Sequence, residues 1–361
     1  MKTLILGDIS PTSVTNPYFA EKNMDALFGD SLPLFSGNDV TFANLECALT
    51  ESEAAIDKFG PALKACKETA DVMKNIGITV AGLSNNHIFD FGVEGYLDTV
   101  KELERVGIDR TGFGENYEDS RKNYTVEKDG EKICFIAVCE HEYSYALENR
   151  MGARPFDVID TLDDIREAKK TSDRVIVLYH GAKEMCQYPS PRLVKVCRAM
   201  ARAGADVIIG QHSHCIGCYE NYDGCHILYG EGNFHFSRVS SSPLWGDMLV
   251  VHYDTKTHQI EFTPICNSGT GIELTKGERK ERILREFEER KKKMLDGTWK
   301  DGWHEFCESM RDVYTTAIAE SFTADSTERQ NHRFAHYLDC EAHHDVWVEL
   351  FKTANHKNCI D

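Results

Sequence analysis

Two histidines one residue apart close the apolar run in GADVIIGQHSHCIG, Gly204 to Gly217. Such a pair at a strand's end suits metal ligation, although a solvated turn that happens to hold two histidines reads the same way. Further ligands would have to come from elsewhere in the chain, and they stand at the ends of other apolar runs. TLILGD ends at Asp8, FANLE at Asn44 and Glu46, AGLSNNH at Asn86 and His87, IVLYH at His180, and VIIGQHSH at His212 and His214. Carboxylate, amide and imidazole donors together are what divalent Mn, Zn or Fe asks for. Histidines that merely satisfied a core would be scattered over apolar faces instead of recurring at strand ends.

The elements that must carry these residues alternate between strand and helix. TLILG and VTFANL are short apolar runs; ACKETADVMKNIG, before ITVAGLS, has helical spacing and a glycine stop. VEGYLDTVKELERVG predicts an amphipathic helix with Val93, Leu97, Val100, Leu103 and Val106 on its apolar side. DTLDDIREAKKTSD feeds RVIVLYHG, and SPRLVKVCRAMARAG feeds ADVIIGQHSH. HILYGEGNFHF, DMLVVHYD and QIEFTPICN follow with little helix between them, which predicts an antiparallel closing portion. This is the grammar of a layered α/β fold, whose sites form in the crevice outside the carboxyl ends of strands.

Composition narrows the function classes. A 361-residue chain, 41% hydrophobic, can bury a large core. A formal charge of −18 disfavours nucleic acid and anionic membranes as partners, while leaving room for a small anionic substrate neutralised by metal. No stretch approaches the roughly 18 apolar residues of a membrane span, and MKTLILGDIS turns polar too soon for a secretory segment, so a cytoplasmic location is expected. The odd count of 13 scattered cysteines predicts mostly reduced thiols. Cys215, Cys218 and Cys225 lack the second pair that a structural zinc site requires and read as strand-end thiols.

From about Gly277 the strand periodicity stops. TKGERKERILREFEERKKKML is charge-dense, and Trp299, Trp303 and Trp347 recur at loosely helical spacing beyond it. The division expected is a domain over 1–275 and a helical extension over 276–361, the latter a solvated helix and a docked appendage contributing packing only, or else a cover over the pocket or a surface for a partner chain. Oligomeric state is left open.

The ordered set Gly-Asp, Asn-Leu-Glu, Asn-Asn-His-x-x-Asp-x-Gly, His-(x)3-Glu, Gly-x-His-x-His and Gly-Asn-Phe resembles the CapA (poly-γ-glutamate capsule biosynthesis) branch of the calcineurin-like metallophosphoesterases, from about Met1 to about Ile265. The resemblance implies a four-layered αββα sandwich with two divalent ions between its sheets. It implies that Asp8 and His214 hold the first ion, that Glu46 stands where a bridging aspartate is usual, and that Asn86, His180 and His212 hold the second. It puts His87 where the family has the histidine that protonates a leaving-group oxygen. Ser10 stands where many relatives have a histidine ligand, which leaves a single-metal centre open as the alternative.

Other candidates border this set. Lys58 and Lys64 in DKFGPALKA could meet an anionic substrate or be solvated; Asp90 and Glu184 could orient ligand histidines or cap turns; Asn44 and Asn233 could line the pocket or fix turns. His141, Tyr143 and Arg154 are weaker substrate-site candidates. Three functions remain: a metal-dependent hydrolase of a small phosphoester; an enzyme or accessory factor for poly-γ-glutamate or another envelope polymer; and a metal-retaining, catalytically silent binding module.

Overall fold

The computed structural model describes residues 1–140, 143–237 and 242–352. The strands are β1 Lys2–Ile9, β2 Val40–Leu45, β3 Val80–Gly82, β4 Asp109–Thr111, β5 Tyr124–Lys128, β6 Glu131–Cys139, β7 Arg174–His180, β8 Val207–Gln211, β9 Tyr219–Tyr222, β10 Cys225–Leu228, β11 Asn233–His235, β12 Asp247–Asp254, β13 Gln259–Asn267 and β14 Ile272–Leu274. One sheet has the order β14-β13-β12-β1-β2-β3-β4, with β11 also pairing β1; the other has the order β9-β10-β8-β7-β6-β5. Central pairings β1–β2–β3–β4 and β6–β7–β8–β10 are parallel, while β12, β13 and β14 form the antiparallel portion that the sequence predicts.

Alternation along each strand makes the layers. Ile5, Phe42 and Val80 of the first sheet meet Phe135, Ile176 and Val207 of the second in one core, where the rings of Phe42 and Phe135 stack at 6.0 Å. The opposite face of the first sheet, with Leu4, Leu6 and Ala43, packs on α1 (Thr69–Asn75) and α2 (Gly92–Val106). Ile136, Val177 and Ile208 pack on α3 (Val158–Thr171) and α4 (Pro191–Ala203). The αββα order is therefore present, and it leaves the carboxyl ends of β1, β2, β3, β7 and β8 at one mouth.

The stripe expected on α2 is rotated. Val93 and Leu97 are exposed at 48% and 53%, while Gly95, Thr99 and Leu103 face inward. A Cβ on Gly95 would stand 2.5 Å from Phe91 Cβ, so glycine allows the close approach. Thr99 then accepts the Leu49 N–H at 2.8 Å and donates to Gly95 O at 2.7 Å. A polar contact and a missing side chain set this face instead of the largest apolar residues.

Beyond Lys276 the chain forms α5 (Gly277–Asp296), α6 (Trp299–Ser309), α7 (Arg311–Glu320), α8 (Glu328–Asp339) and α9 (Glu341–Phe351). Helix α5 is charged yet hides a stripe of Ile283, Phe287, Arg290 and Met294, with Phe287 edge-on to Phe262 at 5.2 Å. Trp303, Cys307, Tyr314, Tyr337, Val346 and Trp347 make a separate core that includes Cys186 from the loop after β7. Among the described residues no helix is long and apolar enough to cross a membrane.

Candidate metal centre

Asp8 reaches the mouth because β1 passes unusually close to the start of β11. A Cβ on Gly7 would lie 2.2 Å from Gly232 O, so only glycine fits, and Asp8 comes level with Asn233. His212 and His214 follow β8 with φ of 71° and 53°. Such left-handed backbone in two non-glycine residues costs energy and persists where the surroundings fix it.

These side chains converge. Asp8, Glu46 and His180 form one buried donor group and Glu46, His212 and His214 a second, the donor atoms of each lying within 4.8 Å of one another. Glu46 is common to both. Its Oε1 is 3.3 Å from His180 Nε2 and 3.9 Å from His212 Nδ1, while Asp8 Oδ2 is 3.6 Å from His214 Nδ1. Asn86 Oδ1 lies 2.9 Å from His180 Nε2. Asn44 Nδ2 donates to Asp8 Oδ1 at 2.7 Å and stands 3.1 Å from His180 Nδ1. Asn233 Oδ1 is 2.8 Å from His214 Nδ1, where it can fix the ring.

The electrostatics fit a cation. Glu46 is fully buried and neither carboxylate oxygen has a hydrogen-bond partner among the described residues. Burial alone would raise its pKa, but His214 and His180 outweigh that and hold it well below the usual range, so it is ionised. Burial and then Glu46 push Asp8 upward instead. Two carboxylates this close are costly without positive charge between them. An ionised carboxylate lacking hydrogen bonds, shared by two imidazole sets, suits a pair of divalent ions better than a proton network.

His87 borders this set with its Nδ1 2.7 Å from Asp90 Oδ2. The carboxylate keeps the proton on Nδ1 and leaves Nε2 for exchange. Lys58 is bound to Asp90 Oδ1, with its Nζ 3.2 Å from His87 Nδ1. Asn85 fixes the loop: its Nδ2 donates to Asn44 Oδ1 at 3.1 Å and Leu45 O at 2.9 Å, and its Oδ1 accepts the His87 N–H at 3.1 Å. The sequence reading gave Asn85 no role, although the doubled asparagine was its signal. Trp245, whose ring lies 4.3 Å from that of His214, and Glu231 were also missed. Burial, then Asp8, holds the Glu231 carboxyl well above its usual range.

Not every candidate joins the centre. Lys64 donates to Ser52 O at 2.7 Å and Glu53 Oε1 at 2.6 Å, outside the set. Arg154 is engaged with Asp164 at 2.6 Å and Asn123 at 2.8 Å, an internal tie between α3 and the loop before β5. Ser10 is buried and donates its N–H to His235 O at 3.0 Å. His141 lies outside the described residues. Cys215 and Cys218 are buried thiols pushed up to about 12 by burial, poor ligands and poor nucleophiles.

The C-terminal helices come close to the Lys58 loop. A cavity of about 280 Å³ is bounded by Lys58, Phe59 and Tyr143 on one side and by His332, His336 and Asp339 of α8 on the other. The His336 ring stacks at 5.5 Å on Phe59. Helix α8 thus forms one wall of a cavity that Lys58 also lines.

Residues 2–238 match the family model described as Bacterial capsule synthesis protein PGA_cap. The chain belongs to this family. Among PGA_cap relatives, the PGA biosynthesis protein CapA of Bacillus subtilis is 32% identical over 293 residues, covering 78% of this chain and 76% of that one. The capsule biosynthesis protein CapA of Bacillus anthracis is 26% identical over 294 residues, covering 78% and 72%. The matched stretch includes every strand of the mouth, from Asp8 through Asn233.

Proposed function

We propose that this PGA_cap chain is a metal-dependent hydrolase of a small phosphorylated compound, using two divalent ions drawn from Mn, Fe or Zn. The observation that carries the reading is Glu46, ionised, free of hydrogen bonds and common to two buried donor groups. When bound, such a pair supplies Lewis acidity and lowers the pKa of a water. The chain's own residues do the rest. Asn86 adds a neutral oxygen that leaves the centre net positive towards an anion. His87, oriented by Asp90, gives the proton on Nε2 to the leaving oxygen, and Lys58 keeps Asp90 in place. His214, held by Asn233 and Trp245, stays fixed as charge develops.

A second reading places the same centre in the making of a capsule polymer. The names of the Bacillus relatives favour it, and the identity to them extends over most of both chains. The two are compatible if the phosphorylated compound belongs to that process.

Metal content by plasma mass spectrometry, run on the wild type and on Asp8→Ala, His212→Ala and His87→Asn, tests the proposal alongside hydrolysis of p-nitrophenyl phosphate. Near two equivalents are expected, with about one lost in each of the first two variants. In His87→Asn both should remain while kcat falls roughly 10²- to 10⁴-fold. Full metal with no turnover in the wild type would replace the hydrolase by a binding module. One equivalent lost only in His212→Ala would make the centre mononuclear. No metal after reconstitution would overturn the reading.

A further inference from the structure

The segment from Ile56 to Leu63 is wrapped around one side chain. The Ile56 N–H donates to Asp90 O at 2.8 Å, the Leu63 N–H to Asp90 Oδ2 at 2.7 Å, and Lys58 is bound to Asp90 Oδ1. Asp90 in turn holds His87, with 2.7 Å between Oδ2 and Nδ1. The segment contains neither helix nor strand, and Asp57, Gly60, Pro61 and Ala62 are exposed, so few contacts of its own keep it closed. The Lys58 side chain is nonetheless only 4% exposed. Its cover comes from outside the segment.

Helix α8 supplies much of that cover. Phe59, next to Lys58 in the chain, is stacked on the His336 ring at 5.5 Å and meets Tyr337 edge-on at 6.4 Å. Tyr143 completes the group. Its ring stacks on His336 at 6.0 Å, its hydroxyl accepts the Phe59 N–H at 3.0 Å, and Lys58 Nζ lies 6.0 Å from its ring centre. The grip has a firm anchor, because Tyr337 is buried, stacks at 4.9 Å on Tyr314 and belongs to the C-terminal core. Direct contacts therefore run from that core through Phe59 and Lys58 to Asp90 and His87. Water admitted to Lys58 would weaken its hold on Asp90, since an ion pair loses strength as the dielectric rises.

We infer that His336 is a positioning residue for His87: stacked on Phe59 and Tyr143, it keeps Lys58 on Asp90 and so keeps the imidazole aimed at the leaving oxygen. The inference rests on the phosphoesterase reading and adds to it a part for the C-terminal helices. His336 itself touches neither the metal donors nor the reacting group in this arrangement; it acts through the loop.

Steady-state kinetics of the metal-loaded full chain on two esters test this. Phenolate is a poorer leaving group than p-nitrophenolate and depends more on a proton donor. In His336→Ala, kcat on phenyl phosphate should fall roughly three- to tenfold further than kcat on p-nitrophenyl phosphate, the worth of an aromatic pair, with KM changed less than about twofold. His336→Phe keeps a stacked ring and should restore the wild-type ratio of the two rates. Phe59→Leu breaks the same contact from the other side and should repeat the His336→Ala signature. In a His87→Asn background His336→Ala should leave the ratio where it is, because no proton donor remains to be aimed. Equal falls on both esters, no fall on either, or a shift of the ratio that persists without His87 overturns the positioning role and leaves the phosphoesterase standing. Acetylation of Lys58 by an N-hydroxysuccinimide ester, followed by peptide mass spectrometry, needs no turnover and should run several times faster in His336→Ala than in the wild type. An unchanged rate overturns the link through Lys58. Absence of turnover of both esters by the wild type overturns the phosphoesterase reading, and the positioning role with it, whatever the acetylation rate.

Discussion

His180, His212 and His214 stand in the strand-end mouth with a ring nitrogen between 3.3 and 3.9 Å from a carboxylate oxygen. His235 and His343 are as deeply buried, but their surroundings are aromatic: Phe19 and Phe28 around the first, Tyr314 and Tyr337 around the second. In the mouth, buried carboxylates suit a cation, and the imidazoles could join in holding it. Against the rings, burial drives the imidazole neutral and makes it a packing group or a hydrogen-bond donor. One residue type thus serves two physical roles, and the neighbouring carboxylate decides between them.

The largest effect should come from breaking the mouth at the carboxylate that its two halves share. Glu46→Gln keeps the shape and removes the charge common to both donor groups. Metal affinity measured by competition with a chelator should fall beyond roughly a hundredfold at both sites, past what loss of an orienting partner alone costs. Retention of one ion at wild-type affinity would show that Glu46 serves a single site, and the two-ion arrangement would have to be redrawn around Asp8.

The helical wall can be detached from the mouth at Asp345. On α9 this side chain accepts from Arg192 Nε at 2.9 Å and from Ser190 Oγ at 2.5 Å, tying α9 to the start of α4. Breaking a buried ion pair leaves an uncompensated charge; with Arg192 28% exposed and still bound to Glu140, Asp345→Ala should cost about 2–3 kcal/mol in urea unfolding. Metal content should stay near wild type. Loss of metal in parallel would mean that wall and mouth are one cooperative unit.

How legible each region is in the sequence follows the same division. Asp8, Glu46, His180, His212 and His214 close apolar runs, and strand ends gather in an α/β fold whatever the order of the strands, so local pattern was enough. The approach of Gly7 to Gly232, which brings Asp8 level with Asn233, joins positions far apart in the chain and has no local signature. On α2 the apolar spacing pointed to Val93 and Leu97, while a glycine and a threonine hydrogen bond set the buried face. The C-terminal helices were the least legible. Their charge density hid the stripe of α5, and the rings of Tyr314 and Tyr337 that enclose His343 come from α7 and α8, which only the fold brings together.

The smallest effect, and the one that tests the comparison most directly, is acid sensitivity at His235. Burial lowers its pKa from 6.5 to about 4. Between those values the unfolded chain binds a proton at this residue and the folded chain does not, so stability falls as pH drops from about 6.5 and the loss levels off below about 4. By pH 5 the contribution amounts to about 2 kcal/mol. His235→Phe keeps an aromatic ring against Phe19 and Phe28 and removes the titration. The difference in unfolding free energy between variant and wild type should therefore be small at pH 7.5 and grow in the variant's favour towards pH 5. If the two curves run parallel, His235 takes up its proton in the folded chain as readily as in the unfolded one. The aromatic enclosure would then not set its charge, and the line drawn between the two classes of histidine would fail at its clearest member.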